Sequence, residues 1–142
     1  MIRALQRITE KSMEGLITIE SQFGPKETCE RLDADIRAQG MRVFARIDHS
    51  QLAAEAGLEL RPTILIIFGN PRSGTPLMQA IQTVGIDLPL KAVVWQDLSG
   101  KTWVSYNDMK LLANRHGITG VDKVVRMMNL ALGALAAKAA RN

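Results

Sequence analysis

The 142-residue sequence contains a single cysteine, Cys29, and only two histidines. One cysteine excludes a disulfide framework and a cysteine-built zinc site, and it suits a reducing compartment. With so few histidines, no metal centre is expected. Aromatic residues are 4% of the chain, too sparse for the stacking platforms that hold single-stranded nucleic acid. Long apolar runs are missing as well. The longest near the C-terminus, Leu130 to Ala137, is eight residues before Lys138, far below the roughly 20 that a membrane-spanning helix needs. The segment Met1-Ile2-Arg3-Ala4-Leu5-Gln6-Arg7 has no uninterrupted apolar stretch, so no secretory signal is expected. These absences predict a soluble, cytoplasmic protein.

What is present fits one globular domain. The chain is 46% hydrophobic and 23% charged, with a mean hydropathy of +0.01, long enough for one buried core and too short for two. The net charge of +4 is not spread evenly. Arg3, Arg7 and Lys11 face only Glu10 near the start, and Lys123, Arg126, Lys138 and Arg141 face only Asp122 near the end. The body between them is close to neutral. Without a clustered basic face, nucleic acid is not an expected partner.

Punctuation and periodicity give the order of elements. Leu16-Ile17-Thr18-Ile19-Glu20-Ser21 reads as a strand. Pro25 and Glu27 start a helix whose apolar stripe is Cys29, Leu32 and Ile36, ended by Gly40. Met41 to Ile47 alternates, and Asp48-x-x-Gln51 is a capping-box pattern for a short helix. Thr63 to Phe68 has no charge and no alternation, which marks a strand at the centre of a sheet. Gly69 to Gly74 leads to Thr75 as N-cap and Pro76 as the first residue of another helix. Ser99-Gly100 suggests a two-residue hairpin turn that sets Trp95 opposite Val104 and Val93 opposite Tyr106 on the core face, with Val94 and Trp103 on the other. Asp108 caps a short helix up to His116, and Asp122 opens the longest one. The expected fold is α+β: a single two-layer domain, a mixed sheet of about five strands with helices packed on it, and a long C-terminal helix. Residues 1–14 form an N-terminal extension, 15–118 the core domain, and 119–142 the last helix.

Two stretches could carry chemistry. Asp48-His49-Ser50 joins a strand to a helix, where an imidazole beside a carboxylate could act in acid–base catalysis. Asp48 already has a structural use as a cap, and neighbouring strand residues point to opposite faces. Gly69-Asn70-Pro71-Arg72-Ser73-Gly74-Thr75 follows the central strand and feeds a helix N-terminus, where free N–H groups favour an anion. It lacks the lysine of a P-loop and the three glycines of a dinucleotide site. Asp48, His49, Asn70, Arg72, Ser73, Gly74 and Thr75 are therefore the candidate ligand-binding residues. Cys29 and His116 read as a buried small side chain and a residue at a helix end. Trp103, with Met128, Leu132 and Leu135 on the last helix, is the candidate interface of a homo-oligomer, a dimer by preference.

The residues Asp48-His49, Gly57-Leu58, Pro62-Thr63, Phe68-Gly69-Asn70-Pro71 and Gly74-Thr75-Pro76-Leu77-Met78 resemble the bacterial and archaeal domain of unknown function 302 (TT1751-like). Asp87-Leu88-Pro89-Leu90, Trp95, Gly100, Trp103-Val104-Ser105-Tyr106 and Arg115-His116-Gly117 continue the likeness over roughly residues 15–118. The resemblance implies a compact α/β-type domain and carries no reaction, cofactor or catalytic residue with it.

Three functions follow as expectations. The first is a non-catalytic binding module for a small anionic or amphipathic ligand near Asn70–Thr75 and His49. The second is a small enzyme using His49 or Asp48 as its acid–base group. The third is an interaction protein acting through Trp103 and the C-terminal helix.

Overall fold

A computed structural model describes residues 13–142; the extension read over 1–14 lies outside them except for its last two residues. Five strands form one sheet: β1 (Leu16–Ser21), β2 (Arg42–Asp48), β3 (Thr63–Gly69), β4 (Leu90–Gln96) and β5 (Thr102–Asn107), in the order β1-β5-β4-β3-β2. The strand count and the helical layer agree with the expected two-layer α+β domain. Every pairing is antiparallel, where mixed pairing was expected. The reason lies in α1 (Pro25–Ala38), which carries the chain from one edge of the sheet to the other. The first β–α–β unit therefore never makes a neighbouring parallel pair.

Helix α1 starts as its sequence dictates, with Pro25 in the first turn and Glu27 against the dipole. Its stripe of Cys29, Leu32 and Ile36 is at most 1% exposed, and it meets Ile66, Phe68 and Val94 of the central strands in the same buried cluster. Arg46 of β2 pairs with Glu30 at 3.0 Å and fixes the outer flank of the helix. Burial lifts the Cys29 thiol to about 11 despite the nearby Arg46 charge, so the cysteine is a packing residue.

The last helix, α5 (Asp122–Ala140), lies beside α1 on the same face of the sheet, over β1 and β5. Met128, Leu132 and Leu135 are 5%, 3% and 3% exposed within the single chain. This corrects their assignment to an intermolecular interface, because their apolar face is already covered by α1 and the sheet. Truncating one such leucine to alanine costs about 2–5 kcal/mol, a large share of the 5–15 kcal/mol that holds a typical domain together. The helix is therefore part of the core and not a detachable arm. Arg31 secures its end, stacking on Phe23 at 4.2 Å and donating to the carbonyls of Lys138, Ala139 and Arg141. The remaining helical segments are α2 (His49–Glu55), α3 (Pro71–Ala80), a 3-10 turn (Gln82–Ile86) and α4 (Met109–Arg115).

The β4–β5 hairpin corrects the expected register. Trp95 pairs with Trp103 and Val94 with Val104. The turn is three residues, Leu98-Ser99-Gly100, closed by Asp97 N–H donating to the Lys101 carbonyl at 2.8 Å, with Gly100 at φ +83. The Asp97 carboxylate selects this longer turn by accepting from Ser99 N–H, Ser99 hydroxyl and Lys101 N–H. A slip of one residue exchanges the faces of a strand. Ala92 and Val94 accordingly face the helices, while Val93 and Trp95 lie on the opposite side with Trp103.

Candidate functional site

At the end of the sheet where β3 finishes, the chain passes through Asn70 into α3. Asn70 is the N-cap and Pro71 the first helical residue, so α3 starts five residues before the expected Thr75 cap and takes Pro76 into its interior. There Pro76 gives up the bond to the Arg72 carbonyl four residues back, and its ring crowds that carbonyl. The earlier start changes the chemistry of the loop. Asn70 Oδ1 accepts Arg72 N–H at 3.0 Å, and the Asn70 carbonyl accepts from Ser73 and Gly74 N–H at 3.0 and 3.1 Å. The amides that could have cradled an anion are thus held by the loop itself.

The same loop forms one wall of a cavity of about 580 Å³, within the range of small-molecule sites. Asn70, Arg72, Ser73, Gly74 and Thr75 all line it. A second wall is the α5 face that bears Val124, Met127, Met128 and Ala131, and the remainder comes from Met41, Phe44, Met78, Gly85, Leu88, Pro89 and Leu90. Four of the chain's seven methionines meet there. Methionine is unbranched and polarisable, so such walls adapt to the shape of an apolar guest. Phe44 owes its place to a β-bulge: pairing with β3 shifts between Val43 and Ala45, and the re-aimed ring is 45% exposed at the cavity. The only cationic side chain on the lining is Arg72, which forms no ion pair among the described residues.

Asp48 and His49 are not part of this site. Arg42 pairs with Gly69 and Asp48 with Ile64, so the two candidate stretches stand at opposite ends of β3, about 17 Å apart at strand spacing. Asp48 caps α2, accepting Gln51 N–H at 3.0 Å and the Ser50 hydroxyl. Those bonds, the Ser50 hydroxyl first, lower its pKa. His49 is exposed at the first position of α2.

Trp103 is 5% exposed, which corrects its assignment as an interface residue. It stacks on Trp95 with ring centroids 6.1 Å apart, and its indole N–H donates to Asp97 Oδ2 at 2.9 Å. Trp95 N–H donates to Ser105, whose hydroxyl is 2.8 Å from that of Thr18.

One polar cluster went unread in the sequence. Asp87, just after the 3-10 turn, pairs with Arg115 at 3.0 Å and with His116 Nε2 at 2.6 Å. Thr83 Oγ1 lies 3.1 Å from His116 Nδ1. The signal was present, since Asp87 and Arg115-His116 both fall within the family-like stretches. Their separation of 28 and 29 residues hid the contact.

Proteins named fluoride-specific ion channel FluC 1 from Brucella suis and Brucella abortus are each 53% identical to the chain over 104 residues, 73% of its length. The match spans only 41% and 38% of those relatives. No helix among the described residues is long and apolar enough to cross a membrane. A crystal structure of an uncharacterised conserved DUF302 protein from Bacillus stearothermophilus superposes with a TM-score of 0.81 at 22% identity, covering 89% of this chain and 99% of that one. The fold is therefore shared well beyond the sequence likeness. The family described as domain of unknown function DUF302 matches residues 17–135, a span that takes in the cavity loop, the Asp87 cluster and most of α5, and the chain belongs to that family.

Proposed function

We propose that the chain is a binding domain for a small amphipathic ligand with an apolar body and an anionic end. The cavity of about 580 Å³ walled by methionine, leucine and phenylalanine side chains carries this reading. Burial of apolar surface supplies the affinity, at about 25 cal/mol per Å² removed from water. Arg72 supplies the charge preference, because the backbone amides beside it are already bonded. The channel name of the Brucella relatives is not carried to this chain, because the match spans only 41% and 38% of those proteins. An enzyme built on Asp48 and His49 finds no support, because neither residue reaches the cavity.

The test uses the full chain and the anionic naphthalene probe 1-anilinonaphthalene-8-sulfonate. Saturable fluorescence enhancement at one site per chain is expected. Ala131→Phe fills the cavity from the α5 side and lowers affinity by about tenfold or more, ~1.4 kcal/mol. Arg72→Gln lowers it a few-fold, ~1 kcal/mol or less for an exposed charge. Absence of saturable binding, or an Ala131→Phe chain that binds as well as the parent, overturns the assignment.

A further inference from the structure

The Asp87 cluster has the connectivity of an activated hydroxyl. We propose that Thr83, His116 and Asp87 form a nucleophilic centre that accepts acyl groups from activated esters. The Asp87 carboxylate lies 2.6 Å from His116 Nε2, and a carboxylate can only accept, so Nε2 carries the proton. In the neutral ring Nδ1 is then the bare nitrogen, and it accepts the Thr83 hydroxyl at 3.1 Å. The order of hydroxyl, imidazole and carboxylate is the one that nucleophilic catalysis requires. Arg115, 3.0 Å from the other carboxylate oxygen, holds the Asp87 side chain in place. Asp87 acts through His116 and is a positioning residue.

Solvent access follows the same order. Thr83 is exposed, whereas the His116 side chain is only 9% exposed and that of Asp87 20%. A contact whose only task was to tie α4 to the turn would be complete with Asp87, Arg115 and His116. The hydroxyl on the far nitrogen adds little to such a tie, and it stands where a substrate can reach it. The segment that bears it also contributes Gly85, Leu88 and Pro89 to the cavity wall.

In the step, Thr83 Oγ attacks the ester carbonyl carbon and its proton passes to His116 Nδ1, while Nε2–H stays on Asp87. Collapse of the tetrahedral adduct breaks the ester C–O bond, and His116 returns the proton to the departing oxygen. Water then cleaves acyl-Thr83 by the same route, releasing a carboxylic acid and regenerating the hydroxyl.

The experiment treats the full chain with p-nitrophenyl acetate, follows nitrophenolate release, and locates the acetyl group by peptide mass spectrometry. Acetylation at residue 83 is expected in the parent and in Thr83→Ser, and none in Thr83→Ala. Asp87→Asn and His116→Gln each slow it by about 10²–10⁴-fold, with circular dichroism to confirm the fold. If Thr83 carries no acetyl group, or if both variants that retain the fold react within about tenfold of the parent, the proposal fails. Probe binding in the cavity is unchanged in Thr83→Ala, so this failure and failure of the binding assignment are separable.

Discussion

At the end of the sheet where β2 enters α2, two aspartates turn their carboxylates onto the chain's own donors. Asp48 caps α2, and Asp97 gathers Ser99, Lys101 and Trp103 around the hairpin. At the other end Asn70 also caps a helix, yet beyond it lies unfilled space with Arg72, Ser73 and Thr75 on its wall. Both ends have strand-to-helix junctions with polar residues and a capping signal. They differ in what leans over them. Helix α5 crosses above the Asn70 end and closes a cavity, while α2 at the Asp48 end buries none of its residues. A strand end thus becomes a candidate site through elements from distant sequence, not through its own motif.

The comparison breaks if changes at the Asp97 end alter the cavity, or if cavity changes do little but lower stability. Asp97→Ala is expected to give the largest effect. The carboxylate is 6% exposed, and its loss strands the Trp103 indole N–H and two backbone N–H groups. Hydrogen bonds to a charged group contribute about 1.5–3 kcal/mol, so a destabilisation of about 3 kcal/mol is expected in urea unfolding. Affinity for the naphthalene probe, measured on the folded variant, should not change.

Acid sharpens the same point. Burial opposes ionisation of Asp97, but the bonds from Trp103, Ser99 and Lys101 outweigh it and hold the pKa at about 2, against an ordinary 3.8. A depressed folded-state pKa stabilises the fold above the unfolded value, and this contribution fades as pH falls from 3.8 towards 2. About 2 kcal/mol should be lost over that window. Urea midpoints should fall with pH in the parent, and Asp97→Asn should flatten that part of the profile. An unchanged slope in Asp97→Asn would show that other carboxylates carry the acid sensitivity.

The sequence made most of the elements legible because their signals are local. The Pro25 start, the Cys29–Leu32–Ile36 stripe and the uncharged Thr63–Phe68 strand each depend on neighbours within a few residues. Strand order depends on where α1 carries the chain, and the hairpin register on one carboxylate at Asp97. Neither follows from period or composition. The cavity loop was legible as a candidate from its place after the uncharged run of β3. Phe44 was not, because a bulge shows only once β2 and β3 are paired. The interface reading of Met128, Leu132 and Leu135 failed for a related reason. A nearly continuous apolar helix demands cover, and the sequence does not say that α1 and the sheet of the same chain provide it.

The smallest expected effects test whether the Asp48 end holds anything beyond structure. Asp48→Ala removes an N-cap and should cost about 1 kcal/mol, the usual value for losing such a residue. Asp48→Asn retains an acceptor for Gln51 N–H and should cost less. His49→Ala removes an exposed ring with no hydrogen-bond partner among the described residues and should change stability by under ~0.5 kcal/mol. None of the three substitutions should alter probe affinity, since the cavity lies about 17 Å along β3. If His49→Ala weakens probe binding while stability stays constant, the two ends of the sheet are coupled, and the division between a self-satisfied end and an open one falls.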